Sequence, residues 1–534
     1  MSQWRHAFSL SKQQVAEATP PGTTRLVEHE NHDHIALIPP PTLSPRDPLN
    51  WPLWRKWTLL LIMSIYCGSA NFAAASIAPA LSILMAQLPQ AWHRPPPKFS
   101  SLTHLVAVNV LMVGLSNIIW VPLANTFGRR PILITAMAIG VAATIWCAEA
   151  ENFSSLLAAR AIQGFGLGPA DTLAANVVGE VFFVHERGRA MAVYTLFLSG
   201  GSFLGGLGGG YIAAYQGYKY IFWISLALLA FCLVCEILLV PETTFDRETQ
   251  LLRDLEYNSG EGAIGKEKDT IDMIEQASVS PPSYHDGPFT FGQSLKVGIY
   301  RGNLFRNFLA PWYSLAFPGT WVVMLHYGGL LGGLVTISTV GPQFLAMPPY
   351  LWGNNVGLLN LGGLVGALVG GVITFFMADF ATKRHARKES HGLAEPESRL
   401  PVMFPALFLA TTGIWTFGFC AANPSEHAWV GMCVGLGMVG AGITQVPSVG
   451  FNYLIDAYHV VAADCFVMTT IMRAVVSFAW TFFVSDWIGK DGAALPFGIF
   501  GMLMGVFALL TIPLWLLGKR MRIATAGLLP NVEQ

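Results

Sequence analysis

Apolar residues run through this chain in twelve blocks, and polar residues collect in the breaks between them. The blocks lie at roughly 57–83, 103–125, 131–149, 154–180, 189–214, 219–240, 318–345, 352–378, 401–421, 427–455, 462–486 and 495–518. Each is long enough to cross about 30 Å of hydrocarbon as a helix. In lipid such a segment must satisfy its own backbone, which a helix does. The pattern predicts an all-α membrane protein with twelve transmembrane helices, arranged as two pseudo-symmetric six-helix bundles. A polar insert over 241–317 divides them, between a bundle at 57–240 and one at 318–518, with polar tails at 1–56 and 519–534. The insert is charged and rich in Gly, Ser and Pro, a composition that predicts disorder over much of it. Apolar segments near 304–317 are expected along the membrane surface.

Composition sharpens this. Of the 534 residues 53% are hydrophobic and only 12% charged, about half the charge of a soluble domain. A net charge of −1 gives nucleic acid nothing to bind. The seven cysteines are scattered, so no disulfide framework or metal centre is expected; Cys232 and Cys235 read as small core residues in an apolar span. Residues 1–50 are polar, and no secretion leader is expected there. Basic residues set the orientation. With the N-terminus in the cytoplasm, 25 of the 31 Lys and Arg fall on the inner side; Arg94, Lys98, Lys219 and Lys490 fall outside, and Arg160 and Arg473 lie within spans. Both termini and the insert are therefore expected in the cytoplasm.

The two groups of six read as distant repeats. The basic loop "ADFATKRHARK" (378–388) stands where "FGRRP" (127–131) stands in the first group. "VVGEVFFVH" (177–185) and "NYLIDAYHV" (452–460) each end a span with a carboxylate and aromatics. Repeated six-helix halves point to a transporter with its site at their interface.

On these residues the chain resembles the major facilitator superfamily, and within it the fungal drug:proton antiporter branch, over about 45–520. "LANTFGRRP" (123–131) is similar to the loop 2–3 signature G-x-L-a-D-r-x-G-r-k, "RAIQGFG" (160–166) to the fourth-span R-x-x-Q-G, and "GSFLGGLGGG" (201–210) to the fifth-span antiporter signature G-x-x-x-G-P-x-x-G-G. "DPLNWP" (47–52), "HERGRAMAVY" (185–194), "PETTF" (241–245) and "EPESRLP" (395–401) are similar to stretches of fungal members. Three positions depart: Val121 replaces the opening glycine, Asn125 the acid of the loop signature, and Gly206 the proline of the fifth span. The missing acid puts a charge-relay gate in doubt, and the missing proline implies a less kinked fifth span.

Candidate chemistry follows. Asp171 is the first candidate proton carrier, because a carboxylate withdrawn from water favours its neutral form. It lies eleven residues after Arg160, about 20° round the helix and about 16 Å along it, so both can face one cavity without touching. Arg160 is the expected partner that sets protonation against substrate; a bond to a backbone carbonyl is the plainer alternative. Arg473 is read as a substrate contact or a brace. At the inner ends, Asn125, Gly128, Arg129, Arg130, Glu180, Arg187, Arg189 and Asp456 are expected to form a gate, against the alternative of solvated helix ends. Glu236 and Asp379 are weaker candidates of the same kind. Gly201, Gly205 and Gly209, and Gly362, Gly366 and Gly370, each line one helix face, and small faces let helices approach closely. The resemblance places spans five and eight against each other, so these glycines are expected at the contact between halves. It also makes spans one, four, seven and ten line the path, which nominates Asn71, Trp321, His326, Tyr327, Gln445 and Asn452.

Two motifs fall in the insert. "GEGAIGKE" (260–267) lacks the Ser/Thr and the preceding strand of a nucleotide loop and is rejected. Pro281, Pro282 and Tyr284 fit P-P-x-Y, a ligand for WW domains of ubiquitin ligases, although chance explains it equally. The resemblance implies a secondary transporter rather than an enzyme: a monomer of the plasma membrane, without cofactor or metal. It is expected to export bulky or amphipathic molecules, such as drugs or secondary metabolites, in exchange for protons. Proton-coupled uptake of a polar or cationic nutrient, such as a polyamine, is the alternative.

Overall fold

A computed structural model describes residues 46–85, 98–245, 304–388, 393–458 and 461–528, with parts of the tail before residue 46. Among the described residues, eleven helices are long and apolar enough to cross a membrane. Span 1 is Leu53–Ala75, span 2 Phe99–Phe127, span 3 Arg129–Glu149, span 5 Val184–Tyr215 and span 6 Lys219–Leu239. Spans 7 to 12 are Pro318–Ala346, Leu359–Lys388, Phe404–Ala422, Ala428–Ala457, Ala462–Asp491 and Ala494–Thr525, the last bending at Leu510. The fourth expected span is also helical, as Phe153–Leu167 and Pro169–Val181. Gly168 between them keeps helical angles (φ −54°, ψ −41°), so the axis runs on through a break made by Pro169. The break leaves pieces of 15 and 13 residues, which is why this span is not among the eleven.

Helix ends overrun the apolar blocks. Span 5 starts at Val184 rather than 189, and span 8 continues to Lys388 after a 3₁₀ turn over Gly353–Leu358. Hydropathy marks where lipid ends, whereas capping and packing mark where a helix ends. We call the side where span 1 begins and span 12 ends the tail face, and the opposite side the far face.

In the first half span 5 packs on span 1, and span 3 on spans 4 and 6; in the second, span 10 packs on spans 8 and 9, and span 7 on span 11. The halves meet where span 5 crosses spans 8 and 10 and span 2 crosses span 11. The glycine rows correct the expectation placed on them. A side chain at Gly201, Gly205 or Gly209 would strike the span 1 backbone at Gly68, Phe72 or Ser76. One at Gly362, Gly366 or Gly370 would strike span 10 at Cys433, Gly437 or Ala441. Each row therefore glues a helix to its own half. A second glycine face does the work between halves: Gly206 lies against the Asn360 amide, Gly371 against Leu196, and Gly363 and Gly440 against the Phe203 ring. Ser199 and Thr444 add a hydroxyl contact of 2.9 Å across the same seam.

On the tail face, the amphipathic helix Leu304–Tyr313 turns Phe305, Leu309, Trp312 and Tyr313 outward and docks on span 2, where Asn307 Nδ2 donates to Thr126 Oγ1 (2.9 Å). The N-terminal helix Ser2–Ser9 packs on the end of span 12, and Thr24–Arg25 pairs antiparallel with Leu393–Ala394.

Candidate functional site

Between the halves, from mid-depth toward the far face, lies a cavity with about 650 Å³ of empty space, its mouth included. Most of its wall is Ala, Val and Leu; the polar exceptions are Asn71, Asp171, Ser202, Ser338, Thr339 and Arg473. Asp171 sits in the first turn after the Pro169 break, where the helix N-terminus favours a carboxylate. One of its oxygens is paired with Arg473 Nη2 of span 11. The other accepts from Asn71 Nδ2 (3.0 Å) and Cys67 Sγ (3.4 Å). Arg473 also reaches the Tyr327 hydroxyl (3.5 Å), with its guanidinium 5.1 Å from that ring's centre. Asp171 and Arg473 are 4% and 2% exposed, so the pair is desolvated and each charge depends on the other. It joins the first half to the second.

Arg160 is not the partner of Asp171. It donates to the span 1 carbonyls of Ala73 (3.0 Å) and Ala74 (2.8 Å), to the Leu105 carbonyl (3.3 Å) and to Gln163 Oε1 (2.7 Å). It pins spans 1, 2 and 4 together as a brace. Four of the residues nominated for the path also lie elsewhere. Trp321 is 41% exposed and bonds the Leu315 carbonyl, and His326 Nε2 is held by the Phe507 carbonyl (2.8 Å) and Thr511. Gln445 turns to the Val402 carbonyl (3.1 Å), and Asn452 donates to Ser448 in its own helix (2.8 Å). Asn71 lines the cavity and Tyr327 backs the ion pair.

The tail face is tied by a second set of charges. Arg129 pairs with Glu180 inside the first half. Arg187 of span 5 reaches Asp456 of span 10 (3.4 Å), and Arg399 meets the other Asp456 oxygen (2.9 Å). Arg189 instead lies over the Phe375 ring, 5.7 Å from its centre. Gly128 turns the chain between spans 2 and 3 at φ +97°, a backbone that side-chain-bearing residues avoid. Glu242 of "PETTF" closes this turn: its carboxylate accepts from the backbone N–H of Arg129 (3.0 Å) and Arg130 (3.1 Å), capping the start of span 3. Arg130 Nη2 returns to the Ile237 carbonyl (2.7 Å).

The family model of the Major Facilitator Superfamily matches residues 58–463. The chain belongs to the major facilitator superfamily. As a member it is a multi-pass membrane protein and a secondary transporter, not an enzyme. It is 27% identical to an uncharacterised transporter of this superfamily from Schizosaccharomyces pombe, over 92% of this chain and 89% of the relative. It is 24% identical to the efflux pump radE of Floropilus chiversii, over 81% and 74%. Among solved structures the proton:xylose symporter XylE covers 87% of this chain and 96% of its own at a TM-score of 0.60 and 15% identity, a likeness of fold.

Two departures from the superfamily signatures now have a setting. The Asn125 side chain makes no hydrogen bond among the described residues, and the contacts of this loop run through Gly128, Arg129, Arg130 and Glu242 instead. Gly206 faces the Asn360 side chain so closely that a β-carbon there would come within 2.5–2.6 Å of the amide. A proline at this position would collide with span 8.

Glu242, Arg399 and Cys67 were not singled out from sequence. "PETTF" and "EPESRLP" flagged the neighbourhoods of the first two, but a motif match names no partner. Nothing in the sequence distinguishes Cys67 from the other six cysteines. The side chain of Asp379 and residues Pro281, Pro282 and Tyr284 lie outside the described residues, as does the nucleotide-loop look-alike.

Proposed function

We propose that this chain is a proton-coupled antiporter that exports bulky, largely apolar organic molecules by alternating access. The observation that carries the reading is the Asp171–Arg473 pair between the halves, at the base of a largely apolar cavity. Asp171 is the proton carrier. A proton on its carboxylate cancels the charge that holds Arg473, loosens one tie between the halves and frees the guanidinium for a polar group of the substrate. Proton and tie therefore exclude each other, as exchange requires. The paired charges leave the cavity close to neutral, which suits an amphipathic molecule better than a polyvalent cation.

The excess of basic residues supports a cytoplasmic tail face, and we take the membrane to be the plasma membrane. The structure is then closed inward through Arg187, Arg399 and Asp456, with its cavity toward the outside. The match to an efflux pump supports the outward direction of transport. Pro281, Pro282 and Tyr284 would lie on the same cytoplasmic side, open to a WW domain.

The test compares host cells that express the chain with cells that do not, profiling metabolites and a panel of toxic compounds inside and outside. Export predicts compounds that leave faster on expression, with the excess flux lost when the proton gradient is collapsed. Compounds that accumulate inside on expression would make the protein an uptake carrier, and flux indifferent to the gradient would end the proton coupling.

A further inference from the structure

Span 6 carries one acid in its membrane-embedded stretch, Glu236, and the site described above does not use it. Its side chain is fully enclosed at 1% exposure, yet neither carboxylate oxygen has a hydrogen-bond partner among the described residues. No cation among those residues pairs with it. An ionised carboxylate in such a place is strongly disfavoured, and proteins avoid that penalty by keeping the group neutral. The groups around it fit a neutral acid. Span 1 brings Tyr66, whose buried hydroxyl also has no partner among the described residues. One turn before Glu236, Cys232 Sγ donates to Ser69 Oγ (3.4 Å). Span 3 brings Arg130, whose guanidinium is directed to the Ile237 carbonyl.

Tyr66 links this acid to the ion pair. It lies within electrostatic reach of both the Glu236 and Asp171 carboxylates, and its neighbour in sequence, Cys67, donates to Asp171. Successive residues of span 1 thus face two acids. Glu236 is also one turn from the tail-face end of span 6, beside the contact that Arg130 makes when that face is closed.

We propose that Glu236 is a second proton-binding site of the first half, occupied by a proton while the tail face is closed and emptied when that face opens to water. The proton leaves as H⁺ to water, and the carboxylate that remains is then hydrated. The coupling role rests on the antiport reading above, whereas the occupied site itself does not.

The test is infrared difference spectroscopy of the purified chain in lipid, comparing the parent with Glu236→Gln, which keeps the shape of the neutral acid. At neutral pH the parent should show a protonated-carboxyl C=O band that E236Q lacks, with a loss of one carboxyl per chain, and that Asp171→Asn retains. Identical carboxyl regions in parent and E236Q would mean that Glu236 is ionised and would overturn the proposal. A second measurement needs no variant: dicyclohexylcarbodiimide, which enters from the lipid and attacks protonated acids, should modify Glu236 in the parent, as mapped by mass spectrometry. An unmodified Glu236 would count against the site. An E236Q-sensitive band together with gradient-independent flux would keep the site and refute the coupling; coupled flux without that band would do the reverse.

Discussion

Replacing Asp171 with Asn changes little in size but leaves the Arg473 guanidinium buried without its counter-charge. The guanidinium has no neutral form to fall back on. Its other contacts are the Tyr327 hydroxyl at 3.5 Å and that ring's face, which are weaker than a carboxylate. Removing one member of a buried pair costs about 3–5 kcal/mol, and Tyr327 places the expected loss toward the lower end. Arg473→Met is the milder change, because Asp171 keeps Asn71 and Cys67 and can neutralise itself by taking up a proton. The double variant D171N/R473M removes both charges and leaves an apolar wall. The expected order of damage is D171N, then R473M, then the double. A loss of about 3 kcal/mol is roughly a hundredfold in population, so the effect is large against scatter. Scanning fluorimetry of the three proteins in one detergent reads the order as apparent melting midpoints, and the double-mutant comparison isolates the pair. A double variant less stable than either single, by the sum of their effects, would show that the two side chains do not hold each other and would remove the basis of the antiport reading.

Other expectations follow from single contacts. Gly206→Ala should lose about 1–3 kcal/mol by overpacking against Asn360 and recover in G206A/N360A, whereas Gly208→Ala, whose nearest neighbours are 3.8 Å away, should melt like the parent. Glu242→Ala leaves two backbone N–H groups of span 3 uncapped and should cost about 1–2 kcal/mol; an unchanged midpoint would show that the cap is idle. Asp456→Asn removes the negative charge shared by Arg187 and Arg399 and should raise labelling of a cysteine placed on the tail-face side of span 10; unchanged labelling would mean that this latch does not hold the face shut.

The spans were legible because lipid imposes one rule on every residue of a crossing helix. Asp171 and Arg473 were legible as charges that such helices do not carry without reason. Their partnership was not, because it joins residues 302 positions apart on helices that meet only in the folded protein. Helical periodicity relates side chains along one helix, so it tied Asp171 to Arg160, and packing then gave Arg160 the carbonyls of span 1. The glycines show the same limit. Spacing revealed small faces on spans 5 and 8, but each helix has two, and sequence does not say which neighbour takes which. On span 7, Trp321, His326 and Tyr327 fall within two turns, and only the last reaches the ion pair.

Phe203 sits at the seam with its ring against Gly363 and Gly440, one glycine from each of two helices of the opposite half. Such a joint works as a ball in a smooth socket. The ring presents no charge and no hydrogen bond to break as it turns, and the two glycines offer no side chain that must find a new rotamer. A pivot of this kind resists sliding but is indifferent to the sense of rotation. On the antiport reading proposed above, the direction of the stroke is then left to the charged contacts at mid-depth and on the tail face, which a proton would switch and a hinge would not.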